Sequence, residues 1–178
     1  MPPGLWTVDP VRSRIGFTAR HLLVAKIRGR FLGVAGTIDV GRRPEDSSVL
    51  ASAEAATITT GDPDRDEHLR SAEFLDAARW PLLTITGAGL RRAGDRYLLD
   101  ADLTIRDVTR TVEMTIIVRG SGDGPPPGHL ALTGTARVDR REFGLLWNPA
   151  IETAGVLVGD LVDLRLDVVA VRADDLPD

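Results

Sequence analysis

The run Arg96-Tyr97-Leu98-Leu99-Asp100-Ala101-Asp102-Leu103-Thr104-Ile105-Arg106, continued by Thr111-Val112-Glu113-Met114-Thr115-Ile116-Ile117-Val118-Arg119, decides the fold class. In its first half Tyr97, Leu99, Ala101, Leu103 and Ile105 fall on one face of an extended chain, while Arg96, Asp100, Asp102, Thr104 and Arg106 fall on the other. Such alternation describes a strand with one buried face. The second half repeats it, with Val112, Met114, Ile116 and Val118 opposite Thr111, Glu113, Thr115, Ile117 and Arg119. Residues 106–110 join the two closely enough for an antiparallel hairpin.

The same period-two pattern recurs outward along the chain, at Ser13–Arg20, Arg28–Val40, Val49–Thr59, Leu82–Arg91, His129–Asp139 and Asp160–Arg172. Turn formers separate these runs at Gly41–Pro44, Ala93–Asp95 and Gly120–Gly128, the last reading as a flexible hairpin loop. One segment departs from the pattern. Residues 62–75 open with Asp62, Asp64 and Asp66, place Leu69 at helical spacing, and stop before Trp80-Pro81, which predicts a short helix.

Eight strands in an open sheet would leave two unpaired edges, and closing them into a barrel removes both. An eight-stranded barrel is just wide enough to be filled by side chains or to hold one small ligand. Small residues at Gly33, Ala35, Ala53, Ala55, Gly87, Gly89, Gly134 and Ala136 favour space inside. Glycines that merely permit coiling and bulges would suit a filled barrel, so alternation alone leaves both readings open.

Composition narrows the function classes. The chain has 178 residues and a formal net charge of −4, which excludes a strongly basic nucleic-acid binder by bulk charge. A single domain over residues 1–178, with its core in 6–172, is expected. Without cysteine there are no disulfides, thiolate metal sites or cysteine nucleophiles. The three histidines at 21, 68 and 129 lack paired metal-ligand spacing, and the acids at 62–67 lack the glycine and terminal glutamate of a calcium loop, so no metal or cofactor is expected. No Gly-x-Ser-x-Gly elbow or phosphate loop is present either. Four phenylalanines, three tryptophans and one tyrosine make an aromatic-poor chain, whose interior must be filled by aliphatic residues or left partly empty. No stretch approaches the roughly 18 apolar residues of a membrane span, and the opening residues lack the pattern of a signal peptide, so a cytoplasmic protein is expected.

The punctuating residues follow a known order. Trp6-Thr7-Val8-Asp9-Pro10, Ser13-Arg14-Ile15-Gly16-Phe17, Arg20-His21 and Gly29-Arg30-Phe31 are followed by Thr60-Gly61, Arg65-Asp66, His68-Leu69-Arg70-Ser71, Phe74-Leu75-Asp76 and Trp80-Pro81. Leu103-Thr104-Ile105, Val108-Thr109, Arg140 or Arg141 with Phe143-Gly144, and Val158-Gly159-Asp160 complete it. This ordered set, spread from Trp6 to Arg172, resembles the YceI-like proteins. The resemblance implies an all-β, eight-stranded antiparallel, lipocalin-like β-barrel with an elongated internal cavity and one or two short helices. It also implies non-enzymatic binding, sequestration or transport of a long-chain amphiphile, such as an isoprenoid quinone or polyprenyl phosphate. Two departures stand out: many relatives are exported, and Asp107 stands where the family's turn usually has glycine.

Burial of each CH₂ contributes roughly 0.8 kcal/mol, which makes an apolar tunnel an effective chain-binding device. Phe17, Phe31, Phe74, Trp80, Phe143 and Trp147 are the bulky candidates for its lining, although each would serve equally as an ordinary core residue. His21, at the end of a strand among apolar neighbours, is a candidate to orient a head group, and Arg20 and Arg65 could neutralise a phosphate at the mouth. Lys26 is the only lysine among 22 basic residues, so arginine is abundant everywhere and a solvated surface position is its ordinary reading. Two other functions fit the same strands: an enzyme acting on a hydrophobic metabolite, marked by a buried and perturbed ionisable group in the cavity, and a packed barrel serving as an interaction domain. Barrel rims also offer a surface for a homodimer.

Overall fold

The computed structural model describes residues 1–21, 25–119, 128–147 and 158–173, with the side chains of Arg20, His21, Ala25 and Val158 outside that description. The strands are β1 (Gly4–Val8), β2 (Arg14–His21), β3 (Ala25–Phe31), β4 (Val34–Val40), β5 (Ser48–Glu54), β6 (Leu82–Ala88), β7 (Arg91–Ala93), β8 (Arg96–Ile105), β9 (Val108–Arg119), β10 (His129–Asp139) and β11 (Val158–Arg172). Helix α1 (Pro63–Arg70) is flanked by short 3-10 turns elsewhere in the chain, at Pro44–Asp46, Ala55–Thr57 and Arg140–Phe143.

All pairings are antiparallel, in the order β1-β4-β5-β6-β8-β9-β10-β11, and β1 pairs again with β11. The ring is therefore a closed eight-stranded barrel without free edges. β2 and β3 extend it, because the long β11 pairs with β1 through Ala170–Arg172 and with β2 through Val158–Asp167. Two kinks produce this arrangement. Between β1 and β2 the Asp9 carboxylate accepts hydrogen bonds from the backbone N–H of Val11 and Arg12 and turns the chain. Between β3 and β4 the N–H groups of Leu32 and Gly33 both donate to Thr57 Oγ1, fixing a bend.

That second kink corrects the expectation of one continuous strand over Arg28–Val40. It inserts an extra residue, so Phe31 and Val34 both face the interior and Ala35 is turned out to solvent. Of the small residues expected to face inward, Ala53 and Ala55 are buried, but Gly33 backs onto the Glu54 side chain and Gly89 is a left-handed residue just past β6. Gly87 does face inward, yet a Cβ there would lie 3.1 Å from Leu99, so this glycine makes room for a leucine. The β8–β9 joint is also tighter than residues 106–110: Ile105 pairs directly with Val108. Its left-handed residue is Arg106, φ 58°, so an aspartate at 107 is compatible with the turn. β1 is a strand that alternation did not reveal, and the loop expected over 120–128 falls outside the described residues up to 127.

The inward positions of β8, β9, β10 and β11 join Trp6, Val8, Ile15, Phe31, Val34 and Ile38 in one continuous apolar cluster. No helix among the described residues is long and apolar enough to cross a membrane.

Candidate functional site

The barrel is not filled. A chamber of about 480 Å³ lies at the end capped by α1, and a smaller one of about 70 Å³ lies toward the opposite end. The larger chamber is walled by Phe17 and Ala19 of β2, Ile27 and Phe31 of β3, and Val162 and Leu164 of β11. Ile58, Leu69, Phe74 and Leu75 roof it from the segment around α1, while Phe143, Leu145 and Trp147 close the side after β10. Among the described residues, polar groups reach it through Asp64, Arg65, His68 and Arg140.

The aromatic wall depends on one glycine. Phe17 pairs with Gly29 across β2 and β3, and a Cβ at Gly29 would overlap the Phe17 ring. With hydrogen there instead, the ring lies against the β3 backbone, 5.9 Å from the Phe31 ring between centroids.

At eight residues α1 is too short to hold its shape unaided, and its position comes from side-chain anchors. Asp62 caps it by accepting from the Arg65 N–H. Asp66, only 5% exposed, accepts from the Thr60 N–H at 2.7 Å, Thr60 Oγ1 at 2.6 Å and Thr59 Oγ1 at 2.9 Å. Burial pushes this carboxyl up, but the hydrogen bonds from Thr60 and Thr59, with the Arg70 charge, outweigh it and hold its pKa below the ordinary aspartate value. Arg65 donates to Thr60 Oγ1 and to the Thr60 carbonyl, and Arg70 donates to the Ile58 carbonyl. Apart from the Asp62 cap, these bonds tie the helix to residues 58–60.

On the far side of α1, His68 meets Trp147 edge to face at 4.2 Å. Its Nε2 lies 2.9 Å from Glu73 Oε2, within ion-pair range for a protonated ring but off the angle of a hydrogen bond. Arg140, 3% exposed, is the deepest cation of the site. It donates to the carbonyls of Leu145, Trp147 and Gly159 and reaches Asp160 at 3.2 Å, so it holds the chain after β10 to the start of β11. A guanidinium supplies enough donors for this in one plane.

Of the residues singled out from sequence, Phe17, Phe31, Phe74, Phe143, Trp147 and Arg65 line one chamber. Trp80 does not. It follows the helical segment, donates its N–H to the Asp76 carbonyl, and is covered by the Arg79 guanidinium 5.2 Å from its ring. Arg65 is occupied by Thr60 and Asp62 rather than left at the mouth. Arg20 and His21 end β2, paired in register with Lys26 and Ala25, and their side chains lie outside the described residues. Sequence reasoning missed the aliphatic wall, which carries the same alternation as any core strand. It also passed over Arg140, for which the only signal was its place in the ordered set of residues. No group of three or more His, Asp or Glu that could hold a metal occurs among the described residues.

The sequence model of the YceI-like domain matches residues 6–170. The chain belongs to the YceI-like family. Protein YceI of Salmonella newport (strain SL254) and Protein YceI of Escherichia coli O157:H7 are each 31% identical to it over 133 residues, covering 74% of this chain and 70% of theirs. Among solved structures, Burkholderia cenocepacia BcnA superposes with a TM-score of 0.79 at 19% identity, over 91% of this chain and 98% of its own. A polyisoprenoid binding domain from Saccharophagus degradans, implicated in plant cell wall breakdown, gives 0.73 at 14% identity over 94% and 98%. At these identities the solved structures bear on the fold, and this YceI-like barrel shares it.

Proposed function

We propose that this YceI-like barrel is a non-enzymatic binding protein that takes the apolar chain of an amphiphilic lipid, such as an isoprenoid quinone or polyprenyl phosphate, into its larger chamber and sequesters or carries it. The observation that carries this reading is the chamber itself: about 480 Å³, within the range of small-ligand sites, with aliphatic and phenylalanine walls. Such walls offer no hydrogen bond to a polar substrate and favour whatever removes apolar surface from water. Both guanidinium groups of the chamber are engaged with the protein, Arg65 with Thr60 and Arg140 with main-chain carbonyls, which suits a structural role for them. The family and the likeness to a polyisoprenoid binding domain agree with it.

Native mass spectrometry of gently purified protein, followed by lipid extraction, tests this. A bound species released as an isoprenoid or other long-chain lipid is expected. Absence of any copurified lipid, together with no binding of prenyl alcohols, quinones or phosphates, would refute it.

A further inference from the structure

The two chambers are stacked along the same strands and share no lining residue. On β8, Leu99 lines the smaller chamber and Ile105 the larger, with Ala101 and Leu103 between them. On β10, Gly134 and Val138 take those places, with Ala136 between. On β2, Ile15 pairs on one side with Phe31, which lines the larger chamber, and on the other with Leu166, which lines the smaller. Val34 follows Phe31 on the inner wall and pairs with Ala53. Ile15, Val34 and Leu103 are 8%, 2% and 3% exposed, belong to the continuous apolar cluster, and line neither chamber. At the same level Ala53, Ala101 and Ala136 are small and Val112 of β9, paired with Ala101, packs against the cluster, while on β6 and β11 the larger chamber's Leu83 and Leu164 are followed directly by the smaller chamber's Ile85 and Leu166.

We propose that Ile15, Val34 and Leu103 form a partition that limits the length of chain the barrel accepts, an inference that rests on the larger chamber being the chain site. At roughly 30 Å³ for each water-sized group in a liquid, the larger chamber holds on the order of fifteen carbons, which is three isoprene units. The smaller chamber, about 70 Å³, adds room for roughly two more carbons, and only beyond the partition. A fourth unit must displace packed side chains from their rotamers, and a close-packed interior resists that. Selection is thus by volume, since Ile15, Val34 and Leu103 are themselves apolar.

The test titrates the full chain with prenyl alcohols of two, three, four and eight isoprene units. In the unmodified protein, affinity is expected to rise up to three units and then level off. In Leu103→Ala the four-unit alcohol should gain at least about tenfold over the three-unit one, since each newly buried methylene adds to binding. Adding Ala51→Leu in that background, which fills the smaller chamber, should cancel the gain. Val34→Ala, a smaller deletion in the same ring, provides the same readout if circular dichroism shows that Leu103→Ala does not fold. The partition is overturned if the unmodified protein binds eight units more than about tenfold tighter than three, or if the folded variants leave the length profile unchanged. If three-unit chains do not bind at all, the chamber is not the chain site and both proposals fall.

Discussion

Replacing Asp66 with alanine isolates the bonds that hold α1 over the barrel. The carboxylate accepts from the Thr60 N–H and from the hydroxyls of Thr60 and Thr59, all within 2.9 Å. Hydrogen bonds to a charged group are each worth about 1.5–3 kcal/mol, and an orphaned buried N–H costs about 1–3 kcal/mol. The two hydroxyls can rotate toward other acceptors, whereas the Thr60 N–H cannot, so the net loss should be about 3 kcal/mol rather than the full sum. With an m-value of about 2 kcal/mol/M, the urea midpoint should fall by about 1.5 M. The pH dependence follows from the sign of the shift. Asp66 is held below its unfolded value in the folded protein, so its stabilisation is fully present above the ordinary aspartate range and is lost as pH falls through the folded value. Urea denaturation followed by tryptophan fluorescence should therefore show the gap between wild type and Asp66→Ala wide at neutral pH and closing in acid. A neutral-pH gap below about 1 kcal/mol, or one that stays constant into acid, would refute the anchoring role.

Three further outcomes are expected. Arg140→Met should lower stability by about 3 kcal/mol, measured by thermal denaturation, because it strips donors from the carbonyls of Leu145, Trp147 and Gly159; an unchanged midpoint would show those carbonyls satisfied without it. Gly29→Ala should cost about 1–3 kcal/mol by pushing the Phe17 ring off β3, and Phe17→Leu in the same chain should recover part of that loss, whereas strict additivity would mean that the two positions do not meet. The Asp139 carboxyl, held down by its side-chain and backbone hydrogen bonds from Arg141, should titrate at about 2 by NMR rather than in the ordinary aspartate range.

The strands were legible because one face of each is buried, and the Arg96–Arg119 hairpin shows it most clearly, with Leu99, Leu103, Met114 and Ile116 inside as their alternation requires. The helix was legible from its acidic start and from Leu69 at helical spacing, and the Asp62 cap was found only in the structure. The kinks at residues 9–13 and 32–33 were not: the local Asp9 turn of the first is pinned by a distant partner, Ser13 Oγ bonding the Val169 backbone, and the second depends on Thr57 Oγ1 receiving the N–H of Leu32 and Gly33. Without the second kink the inner face of β4 is assigned to the wrong residues, which is why Ala35 seemed to belong inside. Trp80 misled for a related reason. Its neighbours in sequence enter the chamber roof, but Arg79 covers its own ring outside.

The aromatic poverty of the chain takes on a different meaning once the chambers are located. All four phenylalanines line the larger chamber, and none lines the smaller. Rings with few rotatable bonds, one of them fixed against Gly29, give the α1 end a set shape. The opposite end is lined by aliphatic side chains and by two methionines, Met1 and Met114, whose unbranched chains repack readily. The interior therefore has a stiff compartment and a compliant one, separated by Ile15, Val34 and Leu103. If the partition yields, it yields toward the methionines, because that side can rearrange at little energetic cost while the phenylalanine side cannot. Substitutions that lengthen the accepted chain should therefore act through Leu103 and the Met114 side, and enlarging the phenylalanine wall should loosen binding of a short chain without admitting a longer one.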